Sequence, residues 1–346
     1  MSDTKQLGEC PICGRPTVLR FSISCDYRKP TQSQPYNVDW CDRCTYGQVW
    51  ERPSKAQVAG FYQVDDYYTH SAPDHISPPH PAQRKDTWLD RLRVHLAWRC
   101  DKGEPLTPQA VLPLLKPLLK DDPFTLCEIG CGDGGNLLQF QSQGFTVTGV
   151  EPDPAARATV KRAIANIFDG TAESLPPEVL QQQYDIVLMS HVLEHCLDIN
   201  AAVLNAKKII KPGGLFIVET PNCQSHGFQD YQGGWLWSDI PRHLNFFTPA
   251  SLRAILVKHG FSIANTKYHG FCRQFTSSWL QEEAKIWHRL ATANPPPTPH
   301  FEHRAWKLLL RSIFSPPAAK YDSVRHLAVR IQGEGGKGKG ERDICE

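Results

Sequence analysis

Four cysteines stand as two pairs near the start of the chain, Cys10-Pro-Ile-Cys13 and Cys41-Asp-Arg-Cys44. In a Cys-x-x-Cys knuckle both thiolates face one point, and two knuckles close a tetrahedral zinc site with no open position. Cys10, Cys13, Cys41 and Cys44 are therefore the candidate ligands of a structural zinc ion. Gly14 suits the turn of the first knuckle, and the stretch 14–40 between the pairs is long enough for a hairpin. A redox pair is the other reading of this spacing. Two matched pairs in a chain with no visible export signal favour the metal.

A second cluster of chemistry begins at Glu128, in Glu128-Ile-Gly130-Cys-Gly132-Asp-Gly134. Glycines there let the backbone turn tightly and let a ligand approach closely. Glu151 ends the next strand-like run, about twenty residues beyond the turn, where a carboxylate can accept hydrogen bonds from both hydroxyls of a ribose. A plain turn and a solvated strand end are the bland readings of these residues. Their combination is far more specific than either part.

Histidines supply the third set. His191, Glu194 and His195 follow a strand candidate at 184–189. His195 is placed to deprotonate an acceptor, with Glu194 or another acid orienting it; capping or packing of a helix start is the alternative. His243 follows a Trp-rich loop, Gly233-Gly234-Trp235-Leu236-Trp237. Trp235, Trp237 and Tyr231 are candidate walls of an acceptor pocket, since aromatic walls exclude water and stack on flat or sugar-like molecules. The tryptophans serve equally well as core anchors of the loop.

These residues need a scaffold. From 124 onward, strand candidates at 124–129, 145–150, 184–189 and 214–219 alternate with helices at 134–143, 154–165 and 199–210. Such alternation predicts a parallel sheet covered on both faces. A helix at 249–259 and strands at 261–268 and 323–331 complete the pattern, with a helical insertion at about 272–320. Upstream, 82–99 places Trp88, Leu89, Leu92, Leu96 and Trp98 at helical spacing, and Thr107-Pro108 reads as a helix start. The division is a zinc-binding module at 1–50, a connector and helix at 51–105, a catalytic domain at 106–332 and a flexible tail at 333–346.

The 346 residues are 40% hydrophobic and 21% charged, which excludes a disordered chain. A net charge of +2 gives no electrostatic footprint for bulk nucleic-acid binding. No signal-length apolar stretch opens the chain and no run spans a bilayer, so a cytoplasmic location is expected.

The motif from Glu128 to Gly134 resembles the first motif of class I S-adenosylmethionine-dependent methyltransferases. Phe168-Asp169-Gly170-Thr171-Ala172 resembles the turn that flanks the adenine, although Thr171 stands where the family often has Asp. His191 through His195 resembles the start of the helix after the fourth strand, and Lys211-Pro-Gly-Gly214 the turn before the fifth. Pro241-Arg-His243-Leu-Asn-Phe-Phe247 is similar to a subgroup that includes sugar, quinone and natural-product C- and O-methyltransferases. The resemblance implies a Rossmann-like α/β fold with a seven-stranded, mostly parallel sheet whose last strand is antiparallel. It implies S-adenosyl-L-methionine as cofactor, held by Glu128, Gly130, Gly132, Gly134, Glu151, Asp169, Thr171, Ala172, Ser190 and His191. It implies methyl transfer to oxygen or carbon of a small-molecule acceptor: a nucleotide sugar, glycan precursor or natural-product intermediate. The rivals are an RNA methyltransferase that grips its substrate with the zinc module, and a scaffold without chemistry. The apolar stripe from Trp279 to Phe314 is expected to pack on the domain or a second subunit, with membrane-surface contact as its sharper reading.

Overall fold

The computed structural model describes residues 6–29, 34–63, 86–115, 123–290 and 301–331. The expected tail, the proline-rich break at 295–299 and the tyrosines at 67–68 lie outside the described residues.

Four strands open the chain: β1 (Gln6–Glu9), β2 (Pro16–Ile23), β3 (Tyr36–Cys41) and β4 (Tyr46–Trp50). The expected hairpin between the cysteine pairs is β2–β3, antiparallel from Val18↔Trp40 to Ile23↔Tyr36. After the helices Lys55–Phe61, Trp88–Cys100 and Pro108–Leu115 come β5 (Thr125–Ile129), β6 (Thr146–Val150), β7 (Ile167–Phe168), β8 (Tyr184–Ser190) and β9 (Ile210–Pro221). Then follow β10 (Asn245–Phe246), β11 (Phe261–His269) and β12 (Ser323–Arg330).

The large sheet has the order β11-β12-β9-β8-β5-β6-β7. Its five central and far-edge strands are parallel, while β12 runs antiparallel to both β9 and β11. This is the expected architecture. The central strands are apolar runs with almost no exposed residue, as parallel strands covered on both faces must be. The helices Gly135–Gln141, Pro154–Val160, Ile199–Ile209 and Pro249–Lys258 follow the predicted positions within a few residues.

Two features depart from the sequence pattern. In the helix Trp88–Cys100 the buried face is Asp90, Arg93 and Ala97, while Trp88 and Trp98 are each 66% exposed. Arg93 pairs with Asp90 at 2.8 Å and donates to the Phe275 carbonyl, so an ion pair takes the inner face and turns the leucines outward. The second departure is β10. Only two residues long, it pairs antiparallel with β4 (Asn245↔Gln48, Phe246↔Gly47) and completes the sheet of the N-terminal module.

Side chains reinforce that joint. Tyr46 Oη donates to Asn245 Oδ1 at 2.6 Å, and the Arg52 guanidinium donates to the carbonyls of Leu244, Cys196 and Leu197. Arg242, with its side chain wholly buried, is clasped by Asp26 through two nitrogens (2.7 and 2.9 Å) and by Asp239 at 2.9 Å. Removing one partner of a buried ion pair strands the other charge. Arg242→Ala is therefore expected to lower folding stability by about 3–5 kcal/mol. Urea denaturation followed by tryptophan fluorescence checks this, and a loss under about 1 kcal/mol, the worth of a surface pair, contradicts it.

Candidate active site and metal centre

The four cysteines meet. Their sulfurs lie within 4.8 Å of one another, with Cys13 and Cys41 at 3.7 Å. Cys10 and Cys13 flank the turn after β1, closed by Gly14 N–H to the Cys10 carbonyl, with Gly14 at φ +70°. Cys41 ends β3 and Cys44 lies in the turn to β4. The hydrogen bond from Cys10 pulls the Cys41 thiol down to about 6 and pushes the Cys10 thiol up. Four clustered sulfurs, one already inclined to the thiolate, fit a soft divalent metal.

The glycine turn sits between β5 and the helix Gly135–Gln141. Gly130, Gly132 and Gly134 take φ of +73°, +53° and +80°, a region that side chains rarely adopt. A Cβ on Gly134 would meet Val160 Cγ2 at 2.1 Å, so the third glycine is fixed by packing. A Cβ on Gly132 would meet nothing within 4 Å, so this peptide borders open space. Glu151, at the end of β6, accepts from Gly132 N–H at 2.8 Å and Asp153 N–H at 2.9 Å. Those bonds use one lone pair on each oxygen and leave others for a ribose. Glu128 is buried; Asn136 donates to its Oε1, and its Oε2 has no hydrogen-bond partner. Burial pushes the Glu128 carboxyl up to about 8. An orphaned buried carboxyl beside an open glycine turn fits the ammonium and ribose of S-adenosylmethionine.

Around the expected adenine turn, Asp169 pairs with Arg157 at 2.8 Å from an exposed position. Thr171 bridges to Ser174, and Ala172 is buried with its carbonyl accepting from Asn205. Ser190 ends β8, and His191 follows at φ +56°.

The acids and histidines are arranged differently from the expectation. Glu194 accepts from His191 Nδ1 at 3.1 Å and so orients His191 rather than His195. His191 Nε2 faces Glu219 at 3.4 Å. Burial opposes its charge, but the two carboxylates outweigh burial and raise the imidazole to about 9. His191 is thus an imidazolium locked between two acids, not a free base. Glu219, at the end of β9, is also held by Arg325 at 2.6 Å and lies 3.1 Å from His269 Nε2. Sequence reasoning missed Glu219, Arg325 and His269. The one signal was an acid at a strand's carboxyl end, in Val218-Glu219-Thr220.

His195 and His243 do meet, with ring centroids 4.6 Å apart. His195 Nδ1 lies 3.1 Å from the Arg242 carbonyl and 2.9 Å from the Tyr62 hydroxyl. His243 Nδ1 lies 2.7 Å from the Trp237 carbonyl. Burial keeps the His243 imidazole neutral, lowered to about 4. Trp237 stacks on His191, with ring centroids 5.9 Å apart, and donates to Asp322. Trp235 is a core anchor instead: 1% exposed and packed edge-on against Phe228. Tyr231 is half-buried under the Arg304 guanidinium, at 4.3 Å.

A family model described as a methyltransferase domain matches residues 103–266. Those residues are a class I, S-adenosylmethionine-dependent methyltransferase domain. A ubiquinone biosynthesis O-methyltransferase from Methylobacterium nodulans is 31% identical over 170 residues, covering 46% of this chain and 65% of the relative. One from Rickettsia canadensis is 26% identical, covering 41% of this chain and 64% of the relative. The matched stretch thus spans just under two thirds of these curated relatives. Among solved structures, a SAM-dependent methyltransferase from Archaeoglobus fulgidus has a TM-score of 0.43 at 18% identity, covering 64% of this chain and 92% of that one. Among the described residues, no helix is long and apolar enough to cross a membrane.

The orphaned acid sets a pH dependence. Free Glu128 is protonated below about 8, whereas an ammonium needs the carboxylate, so binding releases a proton below that pH. The affinity for S-adenosylmethionine is expected to rise about tenfold per pH unit up to about 8 and then level off. Glu128→Gln is expected to flatten that profile. Calorimetric titration from acid to mildly alkaline pH checks it, and a flat wild-type profile contradicts it.

Proposed function

We propose that the chain transfers a methyl group to an oxygen, or an acidic carbon, of a small-molecule acceptor whose nucleophile must lose a proton. The observation that carries this is the His195–His243 pair, two touching imidazoles each tied by Nδ1 to a backbone carbonyl. A carbonyl only accepts, so Nδ1 of His243 holds the hydrogen and its Nε2 keeps a lone pair; His195 Nδ1 lies between the Arg242 carbonyl and the Tyr62 hydroxyl, and in either neutral tautomer that ring keeps one nitrogen lone pair that can take a proton. The name of the curated relatives puts the methyl on oxygen, which favours an oxygen acceptor here.

When bound, S-adenosylmethionine supplies an electrophilic methyl group on a sulfonium. Glu128, Glu151 and the turn at Gly130, Gly132 and Gly134 would hold it, with Asp169, Thr171, Ala172, Ser190 and His191 nearby. The chain's remaining task is to position the acceptor, exclude water and receive the proton. Trp237 and His191 form an aromatic wall for that pocket, with Tyr231 at its margin. The Cys10, Cys13, Cys41 and Cys44 quartet would hold a structural zinc ion that fixes the module carrying β4, from which the helix ending at Tyr62 follows. An RNA acceptor is disfavoured because three basic residues of the module are spent internally: Arg28 on Asp239, Lys29 on the Gly60 carbonyl, Arg20 over Trp40.

A screen of labelled S-adenosylmethionine against fractionated small molecules tests the activity. With the acceptor found, His195→Ala is expected to cut turnover by ~10²–10⁴-fold with cofactor affinity unchanged. His243→Ala is expected mainly to raise the acceptor KM. Wild-type turnover in both variants from pH 6 to 9 would remove the pair from the chemistry. Elemental analysis of protein purified without chelator is expected to give one zinc per chain, lost in Cys41→Ser; zinc-free wild type rejects the metal.

A further inference from the structure

Where β3 and β4 meet the helix Lys55–Phe61, the N-terminal module holds a cavity of about 480 Å³. That volume falls within the ~300–1,000 Å³ of small-molecule sites. Its lining residues lie between positions 34 and 61, outside the methyltransferase domain at 103–266. Methyl transfer therefore does not account for it. Several lining groups still have hydrogen bonds to give or take. Among the described residues, nothing bonds to the Glu51 carboxylate. Asn37 spends its side-chain carbonyl on Ser22 Oγ, and Gln57 spends its own on Ser54 N–H. Each amide keeps its NH₂ group to donate.

The remaining lining narrows the ligand. Arg52 is the cation of the cavity wall and Glu51 its anion, so the lining is neutral as a whole. Arg52 already donates to the carbonyls of Leu244, Cys196 and Leu197, which leaves little for a phosphate. Its charge also works against an ammonium beside Glu51. Tyr36, Trp50 and Phe61 add aromatic surface, with Tyr36 and Phe61 packed edge to face at 6.2 Å. Rings for an apolar face, carboxamides to donate and a carboxylate to accept suit a neutral molecule that carries many hydroxyls.

We propose that this cavity binds a neutral sugar ring. The ring has two sources, the acceptor itself or a separate sugar. The cavity wall reaches the catalytic turn: Arg52 holds the carbonyls just after His195, and Tyr62, next to Phe61, lies 2.9 Å from His195 Nδ1. Assigning the ring to the acceptor rests on the reading that the acceptor meets His195; sugar binding itself does not.

Saturation-transfer-difference NMR on the full chain, with glucose, galactose, mannose and N-acetylglucosamine as probes, tests the site. At least one of them is expected to receive saturation. Its affinity is expected to fall at least ~10-fold in Glu51→Ala, through loss of a charge-assisted hydrogen bond. Glu51 is exposed, so melting temperature and S-adenosylmethionine affinity are expected to stay at wild-type values. No saturation of any probe at millimolar concentration, or equal affinity in Glu51→Ala, overturns the site. With the acceptor found, the bound sugar is added to the transfer assay. A raised acceptor KM at constant kcat assigns the ring to the acceptor, and an unchanged KM assigns it to a separate sugar; both keep the site. If a sugar binds and no small molecule is methylated, the site stands and the activity reading fails. If methyl transfer proceeds and no sugar binds, the site is overturned and the activity reading stands.

Discussion

The buried guanidinium of Arg242 cannot sit where it does without Asp26 and Asp239 around it, and that requirement organises much of the molecule. Asp26 belongs to the N-terminal module and Asp239 to the loop after β9, so the pairing fixes the module on the methyltransferase domain. Arg242 also offers its carbonyl to His195, and the next residue is His243. A charge that must stay paired therefore holds both imidazoles in register. Asn245 and Arg52 extend the same joint through backbone carbonyls of the turn that carries Glu194 and His195.

The polar groups of the site gather at one edge because parallel strands present their carboxyl ends together. Glu128 and Glu151 come from β5 and β6, His191 from the end of β8, Glu219 from the end of β9. The left-handed backbone at His191 turns its ring between Glu194 and Glu219. The row continues through Arg325 on β12, an antiparallel neighbour that brings its base to the same edge from the opposite chain direction. From Glu194 through His191 and Glu219 to Arg325 the charges alternate, which allows these four ionisable groups to be buried together.

The tryptophan loop shows how neighbouring residues are sorted by packing. Trp235 and Trp237 are alike in sequence, yet Trp235 fills the core between Phe228 and the module, while Trp237 lies over His191 and donates to Asp322. Similarly, the leucines of the helix Trp88–Cys100 have helical spacing, but spacing alone does not say which face is inward. The buried Arg93–Asp90 pair decided that.

The sequence by itself determined the alternating strands and helices, the glycine turn, the acid at Glu151 and the two cysteine knuckles. Each depends on local geometry: side-chain period, positive φ, or two ligands within one turn. Tertiary structure alone decided what depends on residues far apart in the chain. It joined β10 to β4, because a two-residue strand carries no periodicity of its own and exists only through its partner. It assigned Glu194 to His191 instead of His195, and brought His243 against His195 across a long stretch of sequence. It also placed Glu219 and Arg325 beside the site, since an acid and a base on separate strands reveal nothing of each other until the sheet order sets them side by side.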